Sequence, residues 1–538
     1  MPASDDFAPE RLRDLFAPPG FTRAKRVTTL GSVGIVGGGT AGYLTALGLR
    51  RAFPDLTVSV IASSKIPVIG VGEATTPLLP KYLHTFLGLD VIELYEKVQP
   101  TWKFGIKFEW GKPGDYYFNY PFQPGDVLDS LVYEGHINGC NHQSRLMSMD
   151  RTQVLELPDG SWRSYMYQSP FAYHLENKRF VAYLEEQVLA AGIHLVDRTV
   201  VDSEVREDQT IGRLVCEEGD RLEYDLYIDC SGFRSLLLEK LGSRFESFET
   251  SLPTNAAITA RVPNHGFIKP YTTARTMKHG WCWVIPHGGK DHLGYVHCSA
   301  FCSLDEAERE LHETFPGGEG HVGVVRFRSG RHEHFWLGNV VAIGNAYAFV
   351  EPLESTAIHV IIEEINCLLN NFPERLEECR HIVRHVNERV NSRWDQLRGF
   401  LAIHYKFNGR LDTEFWKFCR QELDISEAQK YVDVFHEMAP LYARRHRLWE
   451  APELFDDAGY DTLLLGQGVA SRLMQPRSTR EQWRARFDAG SVVLQTAKTH
   501  AEALSFFAEH PEDLLATVSP QSATGKSYPS LLDGILLS

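Results

Sequence analysis

A glycine-rich turn near the N-terminus is the first feature whose chemistry can be inferred. Residues 32–36 form a short apolar, β-branched run, and GGGTAG follows at residues 37–42, ahead of a stretch with helical apolar spacing. A strand, a glycine turn and a helix are the context in which the GxGxxG pattern binds a dinucleotide. The backbone can approach a pyrophosphate closely at such a turn, and the helix N-terminus offers free N–H groups to the phosphates. The turn therefore predicts a dinucleotide site, with a glycine turn that holds no ligand as the alternative.

The predicted second strand lacks the acidic residue that usually binds ribose hydroxyls. It spans residues 57–62 and continues into Ser63 and Ser64, where Asp or Glu is expected. The missing carboxylate disfavours NAD more than FAD, because FAD makes many more contacts. FAD is therefore favoured over NAD, and the family resemblance described below makes FAD the predicted cofactor. The expected contact residues are Gly37, Gly39, Thr40, Ala41, Gly42, Ser63, Val200, Asn345 and Ile358.

Further segments narrow the class of flavoprotein. GVGEATTPLLPKYL lies at residues 70–83, WCWVIP at 281–286 and FVEPLESTAI at 349–358. Together with GGGTAG, and with LFDDAGYDTLLLGQGV at residues 454–469, they resemble the flavin-dependent halogenases of the tryptophan-halogenase family in sequence and in order. The resemblance spans roughly residues 33–469, which is most of the chain. WxWxIP is the specific element, because unrelated flavin monooxygenases lack it.

The resemblance implies roles for individual residues. Lys81 stands at the spacing of the family's catalytic lysine, and Glu354 at the position of its catalytic glutamate. Thr356 and the backbone N–H of Ala357 occupy its halide site. Trp281 and Trp283 would separate the flavin from the substrate compartment.

The chemistry that the family performs gives these residue types a physical reason. Reduced flavin, O2 and a halide yield hypohalous acid, which is small and would escape or oxidise the wrong groups unless it is enclosed; bulky Trp side chains suit such a wall. A lysine can hydrogen-bond the acid or form a haloamine and so position the electrophile. Glu354 can polarise the electrophile and accept the ring proton as a general base.

Each residue also has a purely structural interpretation. A lysine is usually a solvated surface charge. Trp281 and Trp283 alternate as on a strand, share one face and suit core packing equally well. Glu351 and Glu354 lie on an apolar background, where burying a carboxylate is costly without a partner.

Two departures from the family affect halide and substrate. Ala357 replaces a glycine common in the family, and a position with φ > 0 would strain it by about 1 kcal/mol or more. We therefore expect Ala357→Gly to change halide preference or rate. Tyr460 stands where members that act on free tryptophan often carry Trp, and residues 115–124 are rich in aromatic rings that either hold substrate or pack a loop.

The sequence thus predicts an FAD-dependent halogenase of an electron-rich aromatic, an indole or a tryptophan-like compound, using chloride or bromide. No NAD(P)H site is evident, so a separate flavin reductase is the expected partner. One alternative is a single-component FAD monooxygenase that hydroxylates its substrate. The other is a flavin-binding protein without halogenating activity. Regiochemistry, halide preference and whether the substrate is free or carrier-tethered stay open.

Composition excludes other classes. Of the 538 residues, 43% are hydrophobic and 23% charged, which excludes disorder over most of the chain. The net charge of −15 disfavours nucleic acid, and the absence of 18 consecutive apolar residues predicts no membrane span. The nine cysteines contain no CxxC pair and favour reduced thiols in a cytoplasm. His332 and His334 lack a third ligand, so no metal is predicted; a homodimer is compatible with the sequence.

The predicted fold is α/β, an FAD-binding, monooxygenase-like fold with a Rossmann-type unit, an inserted mixed sheet and a mostly helical C-terminal region. The expected division is an N-terminal extension at residues 1–27, an FAD-binding domain at 28–360, a helical substrate-capping region at 361–520 and a tail at 521–538. The C-terminal helices are expected at residues 358–369, 375–391, 412–420, 425–437 and 499–510, the last capped by Thr499 and stopped by Pro511.

Overall fold

The computed structural model describes residues 29–67, 72–166, 169–373, 379–441, 455–511 and 513–514. The expected N-terminal extension and tail, and residues 70 and 71 of the GVGEATTP motif, lie outside the described residues.

The elements follow one another along the chain in the following order. The strands are β1 Ser32–Val36, β2 Thr57–Ala62, β3 Gly72–Ala74, β4 Thr101–Lys103, β5 Gly105–Glu109, β6 Phe118–Pro121, β7 Val154–Glu156, β8 Trp162–Ser164, β9 Ala172–Glu176, β10 His194–Asp197, β11 Val200–Val205, β12 Ile211–Cys216, β13 Arg221–Leu222, β14 Leu226–Asp229, β15 Phe245–Ser247, β16 Ala256–Pro263, β17 Thr272–Met277, β18 Gly280–His287, β19 Lys290–His297, β20 Glu319–Arg326, β21 Gly330–His332, β22 Trp336–Leu337, β23 Val340–Ala342 and β24 Ala348–Phe349. The helices are α1 Thr40–Ala52, α2 Val91–Val98, α3 Val127–Glu134, α4 His142–Ser148, α5 Asn177–Ala190, α6 Leu236–Lys240, α7 Leu304–Thr314, α8 Ala357–Asn370, α9 Arg380–Lys406, α10 Glu414–Glu422, α11 Ser426–Glu437, α12 Asp457–Gln467, α13 Arg480–Leu494 and α14 His500–Glu509. A short helical turn, Leu78–Pro80, runs into a π-helix, Lys81–Leu87.

A six-stranded sheet in the order β10-β2-β1-β14-β23-β22 holds the glycine turn. Its pairs are parallel except at β22. β1 and β14 lie at its centre and are almost wholly buried, as their continuous apolar sequences require of strands covered on both faces. Helix α1 packs against α5 and α8 beside this sheet. The predicted Rossmann-type unit is confirmed.

A second, mixed sheet brings the aromatic motif into the core. Its strand order is β20-β16-β19-β18-β17-β5-β6, with β18 in the middle and β17 parallel to β5. Trp281 and Trp283 lie on one face of β18 because alternate residues of a strand share a face. A smaller antiparallel sheet, β3-β9-β4, ends at Lys103, next to the start of β5.

The C-terminal part of the described chain is helical, as predicted, with shifted bounds. The helix expected at residues 375–391 runs on to residue 406 in α9, and its expected residues 375–378 lie outside the described residues. Thr499 caps α14 through a capping box, and the helix ends before Pro511. The boundary expected at residue 360 falls inside α8, so this helix belongs to both of the expected regions. No described helix is long and apolar enough to cross a membrane.

Gly294 lets the ring of Trp283 lie across the neighbouring strand. A Cβ at this position would lie 1.8 Å from Trp283 Cζ2. We expect Gly294→Ala to lower the free energy of unfolding by ~1–3 kcal/mol, because the overpacked ring must move. Gly288→Ala, in the same hairpin but with nothing within 4 Å of its Cβ, is the control. Chemical denaturation compares the two, and equal stability would contradict the packing argument.

Candidate active site

The glycine turn forms an open cradle at the N-terminus of α1. Gly37 has φ +125, and a Cβ there would lie 2.2 Å from the carbonyl oxygen of Cys230. A Cβ at Gly42 would lie 2.0 Å from the carbonyl oxygen of Gly37, whereas one at Gly39 meets nothing within 4 Å. The N-terminus of α1 has no side-chain cap and no acidic residue in its first turn. These residues fit an anionic dinucleotide, as predicted from sequence.

The turn after β23 adjoins this cradle. A Cβ at Gly344 would lie 3.2 Å from Ala41 Cβ, and the Gly344 N–H donates to Glu364 Oε2 at 2.7 Å. Burial raises the pKa of Glu364 to about 8. Asn345 follows in this turn, and Ile358 is buried in the first turn of α8.

The other end of the cradle lies beyond β2. Ser63 Oγ is hydrogen-bonded to Thr199 Oγ1 at 2.7 Å, and Val200 is buried at the start of β11. The sheet order places β2 and β23 on opposite sides of the β1–β14 pair, so three interstrand steps, about 14 Å, separate them. An elongated ligand such as FAD fits this edge.

Glu354 is buried and bonded to a histidine. The carboxyl is 4% exposed, and its Oε1 lies 2.7 Å from His404 Nε2. His404 Nδ1 lies 2.9 Å from the carbonyl oxygen of Phe400. A carbonyl oxygen only accepts, so Nδ1 carries a proton, and the Nε2–Oε1 hydrogen bond holds one further proton. Glu354 therefore has a fixed orientation and a neighbour with which it shares that proton.

Lys103 is a fully buried lysine on the same side of the molecule. Its Nζ donates to the carbonyl oxygen of Thr75 at 3.0 Å and lies 5.2 Å from the centre of the Phe122 ring. Burial lowers the pKa of Lys103 to about 7, while the charge of Glu354 opposes that shift. Neutral and protonated amine are therefore both populated near pH 7, as a group that exchanges protons or reacts as an amine needs.

Lys81 does not meet these residues. Its side chain is exposed at the start of the π-helix. Among the described residues its Nζ makes no hydrogen bond or ion pair, and its backbone N–H donates to the carbonyl oxygen of Leu78. The GEATTP motif nevertheless reaches the site through its backbone, at the carbonyl of Thr75. In the structure the lysine whose charge interacts with Glu354 is Lys103, whereas the sequence predicts Lys81.

The loop that carries Glu354 has a second buried carboxyl, Glu351, and one residue with a left-handed backbone. Glu351 accepts hydrogen bonds from Tyr405 Oη at 2.5 Å and Thr254 Oγ1 at 2.7 Å, and burial raises its pKa. Ser355 has φ +57, whereas Ala357 is the first residue of α8 and has no positive φ. The strain expected at Ala357 is therefore absent, and the left-handed residue is Ser355.

The N-terminus of α8 is a candidate anion site. Thr356 precedes the helix, provides no side-chain cap, and no acidic residue follows in the first turn. The partial positive charge of a helix N-terminus favours an anion there. His359, one turn into α8, bonds through Nδ1 to Thr76 Oγ1 at 2.8 Å, so the GEATTP and EPLESTAI segments meet.

The tryptophan pair and the ring-rich segment border the site. Trp281 and Trp283 are buried with ring centres 6.0 Å apart, and neither indole N–H has a partner among the described residues. Buried N–H groups without a partner are uncommon, which fits a face turned towards a bound group.

In the ring-rich segment, the ring centre of Tyr120 on β6 lies 6.5 Å from that of Phe400. The ring centre of Phe400 lies 4.9 Å from that of Tyr460. Tyr460 also stacks on Tyr431 and is buried.

Sequence reasoning missed Lys103, His404, His359 and Glu364. Lys103 stands between Trp102 and Phe104, and His404 between apolar residues of a helix. A polar side chain on such a background is costly to bury without a partner, the argument already applied to Glu354. That signal could have identified Lys103 and His404.

The comparisons with known proteins agree on one family. A family model described as tryptophan halogenase matches residues 32–482. Tryptophan 6-halogenase SttH from Streptomyces toxytricini is 34% identical over 425 residues, 71% of this chain and 79% of SttH. Tryptophan 7-halogenase RebH from Lentzea aerocolonigenes is 28% identical over 489 residues, 82% of this chain and 90% of RebH.

A solved structure matches almost the whole chain. The crystal structure of MibH, a lathipeptide tryptophan 5-halogenase, is similar with a TM-score of 0.88 and 43% identity, covering 97% of this chain and 98% of MibH. The uncovered part is too short to contain all of the sequence after residue 482. The match with MibH therefore extends into the C-terminal segment that the family model leaves out.

Proposed function

This chain belongs to the tryptophan halogenase family of flavin-dependent halogenating enzymes, and on that premise we propose that it halogenates a tryptophan side chain within a peptide. The observation that carries the proposal is the full-length similarity to MibH, whose name places its tryptophan in a peptide. The replacement of the expected Trp by Tyr460 supports it. Free tryptophan is the second candidate, favoured by the names of SttH and RebH.

The cradle of Gly37, Gly39 and Gly42 and the turn at Gly344 would hold FAD. When bound and reduced, FAD supplies the oxidation by O2 that converts a halide into hypohalous acid. A separate flavin reductase would provide the reduced form. The N-terminus of α8 at Thr356 would hold the halide, because its free N–H groups attract an anion without a counter-charge in the first turn.

Lys103 and Glu354 would act on the hypohalous acid and the aromatic ring. Protonated Lys103 donates a hydrogen bond to the acid and positions it. The ring carbon then forms its bond to the halogen while the oxygen–halogen bond breaks, and the departing hydroxide takes a proton from Lys103 and leaves as water. Glu354 accepts the ring proton, and His404 keeps its carboxyl oriented. The neutral amine, populated because burial lowers the pKa of Lys103 to about 7, can instead take the halogen as a haloamine: the nitrogen–halogen bond forms, the oxygen–halogen bond breaks, and the hydroxide leaves as water with a proton from the amine.

The substrate class is tested by product analysis. A peptide with a central tryptophan and both ends blocked is compared with free tryptophan, each with protein, FAD, a flavin reductase, NADH and bromide or chloride. We expect kcat/KM for the peptide to be at least about 10-fold higher, because binding energy from the flanking residues is available only to the peptide. The reverse ranking would favour free tryptophan. Hydroxylated product without halogen would instead indicate a monooxygenase, and FAD binding without product would indicate a flavin-binding protein.

The assignment of the lysine is tested by two matched substitutions. Lys103→Met should lower kcat by ~100-fold or more, the usual scale for a group that transfers or positions a proton. Lys81→Met should leave kcat within about 2-fold, as expected for an exposed side chain. Steady-state halogenation measures both, with the melting temperature as the folding control. Loss of activity in Lys81→Met alone would restore the original assignment.

The role of His404 is tested by His404→Phe, which keeps an aromatic ring packed against Phe108 and Phe400. Glu354 then lacks its buried partner, and we expect kcat to fall by ~10-fold or more with KM for the aromatic substrate nearly unchanged. His436→Phe is the control, because His436 is exposed and bonds to the carbonyl of Ala470. An unchanged kcat in His404→Phe would refute the positioning role.

A further inference from the structure

A cleft of ≈ 240 Å³ lies beside the active site and belongs to none of the roles above. One wall is the connection after β6 together with the start of α4, and the other is formed by α13 and by Ala458 of α12. This cleft, called here the α13 cleft, has room for one or two amino-acid side chains. Trp483, Arg486 and Phe487 in its wall lie beyond residue 482, where the match to the family model ends.

Both walls of the α13 cleft lead to the Lys103–Glu354 region. Phe122, whose ring centre lies 5.2 Å from Lys103 Nζ, immediately precedes Gln123, which lines the cleft. On the opposite wall, Ala458 lies two residues before Tyr460, whose ring packs against Phe400. Phe400 in turn contacts His404, the partner of Glu354. The active site and the cleft are therefore separated by a distance that a few residues of extended chain can span.

The lining of the cleft is positively charged in a chain of net charge −15. It contains Arg145, Arg477 and Arg486 and one carboxylate, Asp126. Asp126 is shared between Arg477 at 3.2 Å and Arg486 at 3.4 Å. Among the described residues Arg145 has no ion pair; its guanidinium donates to the carbonyl oxygen of Phe487 at 2.8 Å and to Ser491 Oγ at 2.5 Å.

The carboxylates behind the lining are already engaged. Asp129 accepts the backbone N–H groups of Arg477 and Ser478 at 2.6 and 3.0 Å and reaches Arg486 only at 3.9 Å. Glu134 and Asp488 are paired with Arg484, which does not line the cleft. His142, also in the lining, adds no charge near neutral pH, because burial lowers its pKa to about 4.

We propose that the α13 cleft binds a carboxylate of the peptide substrate, on a residue near the tryptophan, through Arg486 and Arg145. The inference rests on the proposed peptide substrate. A guanidinium donates two parallel hydrogen bonds to a carboxylate, which fixes direction as well as charge. The cleft would therefore select peptides with an Asp or Glu side chain, or a free C-terminal carboxylate, beside the tryptophan.

The test measures kcat/KM for three peptides of one length and for indole. One peptide carries an acidic residue next to tryptophan and an amidated end, one is neutral with a free C-terminal carboxylate, and one is neutral and amidated. The wild-type enzyme should prefer a carboxylate peptide by about 10-fold through a lower KM. The first two peptides show which carboxylate is used.

Arg486→Gln should remove that preference and leave indole unaffected. Arg480→Gln, which removes the same charge from α13 outside the cleft, should retain it. If Arg486→Gln does not fold, Arg145→Gln replaces it. Peptide halogenation without a carboxylate preference, or a preference that survives both cleft substitutions, would overturn the cleft proposal alone. Halogenation of indole but of no peptide would overturn the proposed function and the cleft proposal together.

Discussion

Lys103 and Glu354 are ionisable groups buried in one aromatic interior, and the rest of the site depends on keeping both satisfied. Removing such an ion from water costs several kcal/mol unless partners compensate. The partners come from distant parts of the chain: the carbonyl of Thr75 after β3 for Lys103, and His404 on α9 for Glu354. The site therefore exists only when the small β3-β9-β4 sheet, the loop that carries Glu354 (residues 351–355) and α9 are assembled together.

The dependence on distant partners explains which parts of the site could be predicted from sequence. The glycine turn is a local pattern of strand, turn and helix, and the structure has it where the sequence predicts it. The lysine is not local, because its strand β4 is linked to β3 only through β9, which follows β4 by about 70 residues and β3 by about 100 residues in sequence. Motif spacing therefore predicts Lys81, although the lysine whose charge interacts with Glu354 stands in β4. The prediction of strain at Ala357 was wrong for a related reason. The residue of the loop with a left-handed backbone is Ser355, and only the course of the backbone shows this.

An acidic protein that uses anions must attract them locally. The N-termini of α1 and α8 have neither side-chain caps nor acidic residues in their first turns. By contrast, α7, α13 and α14 each begin with a full capping box. An uncapped helix start forgoes ~1 kcal/mol of stability, and a bound phosphate or halide can satisfy the same N–H groups. The arginines of the α13 cleft apply the same principle to a carboxylate. The net charge of this protein therefore does not predict the charge of its ligands, whereas the positions of free hydrogen-bond donors do.

Helix α9 fixes the distance between the flavin end and the substrate end of the site. Near its middle, Trp394 Nε1 donates to Glu364, whose other oxygen accepts the N–H of Gly344 in the flavin-side turn. Near its end, His404 and Tyr405 bond to Glu354 and Glu351, the two carboxyls of the loop. Ten residues of helix separate Trp394 from His404, about 15 Å. Because one continuous helix holds both ends, a rigid element would set the separation between the proposed flavin site, where hypohalous acid would form, and the Lys103–Glu354 region, where it would react. A constant separation matters for a small diffusible oxidant, because only a fixed and enclosed route delivers it to a single carbon of the ring.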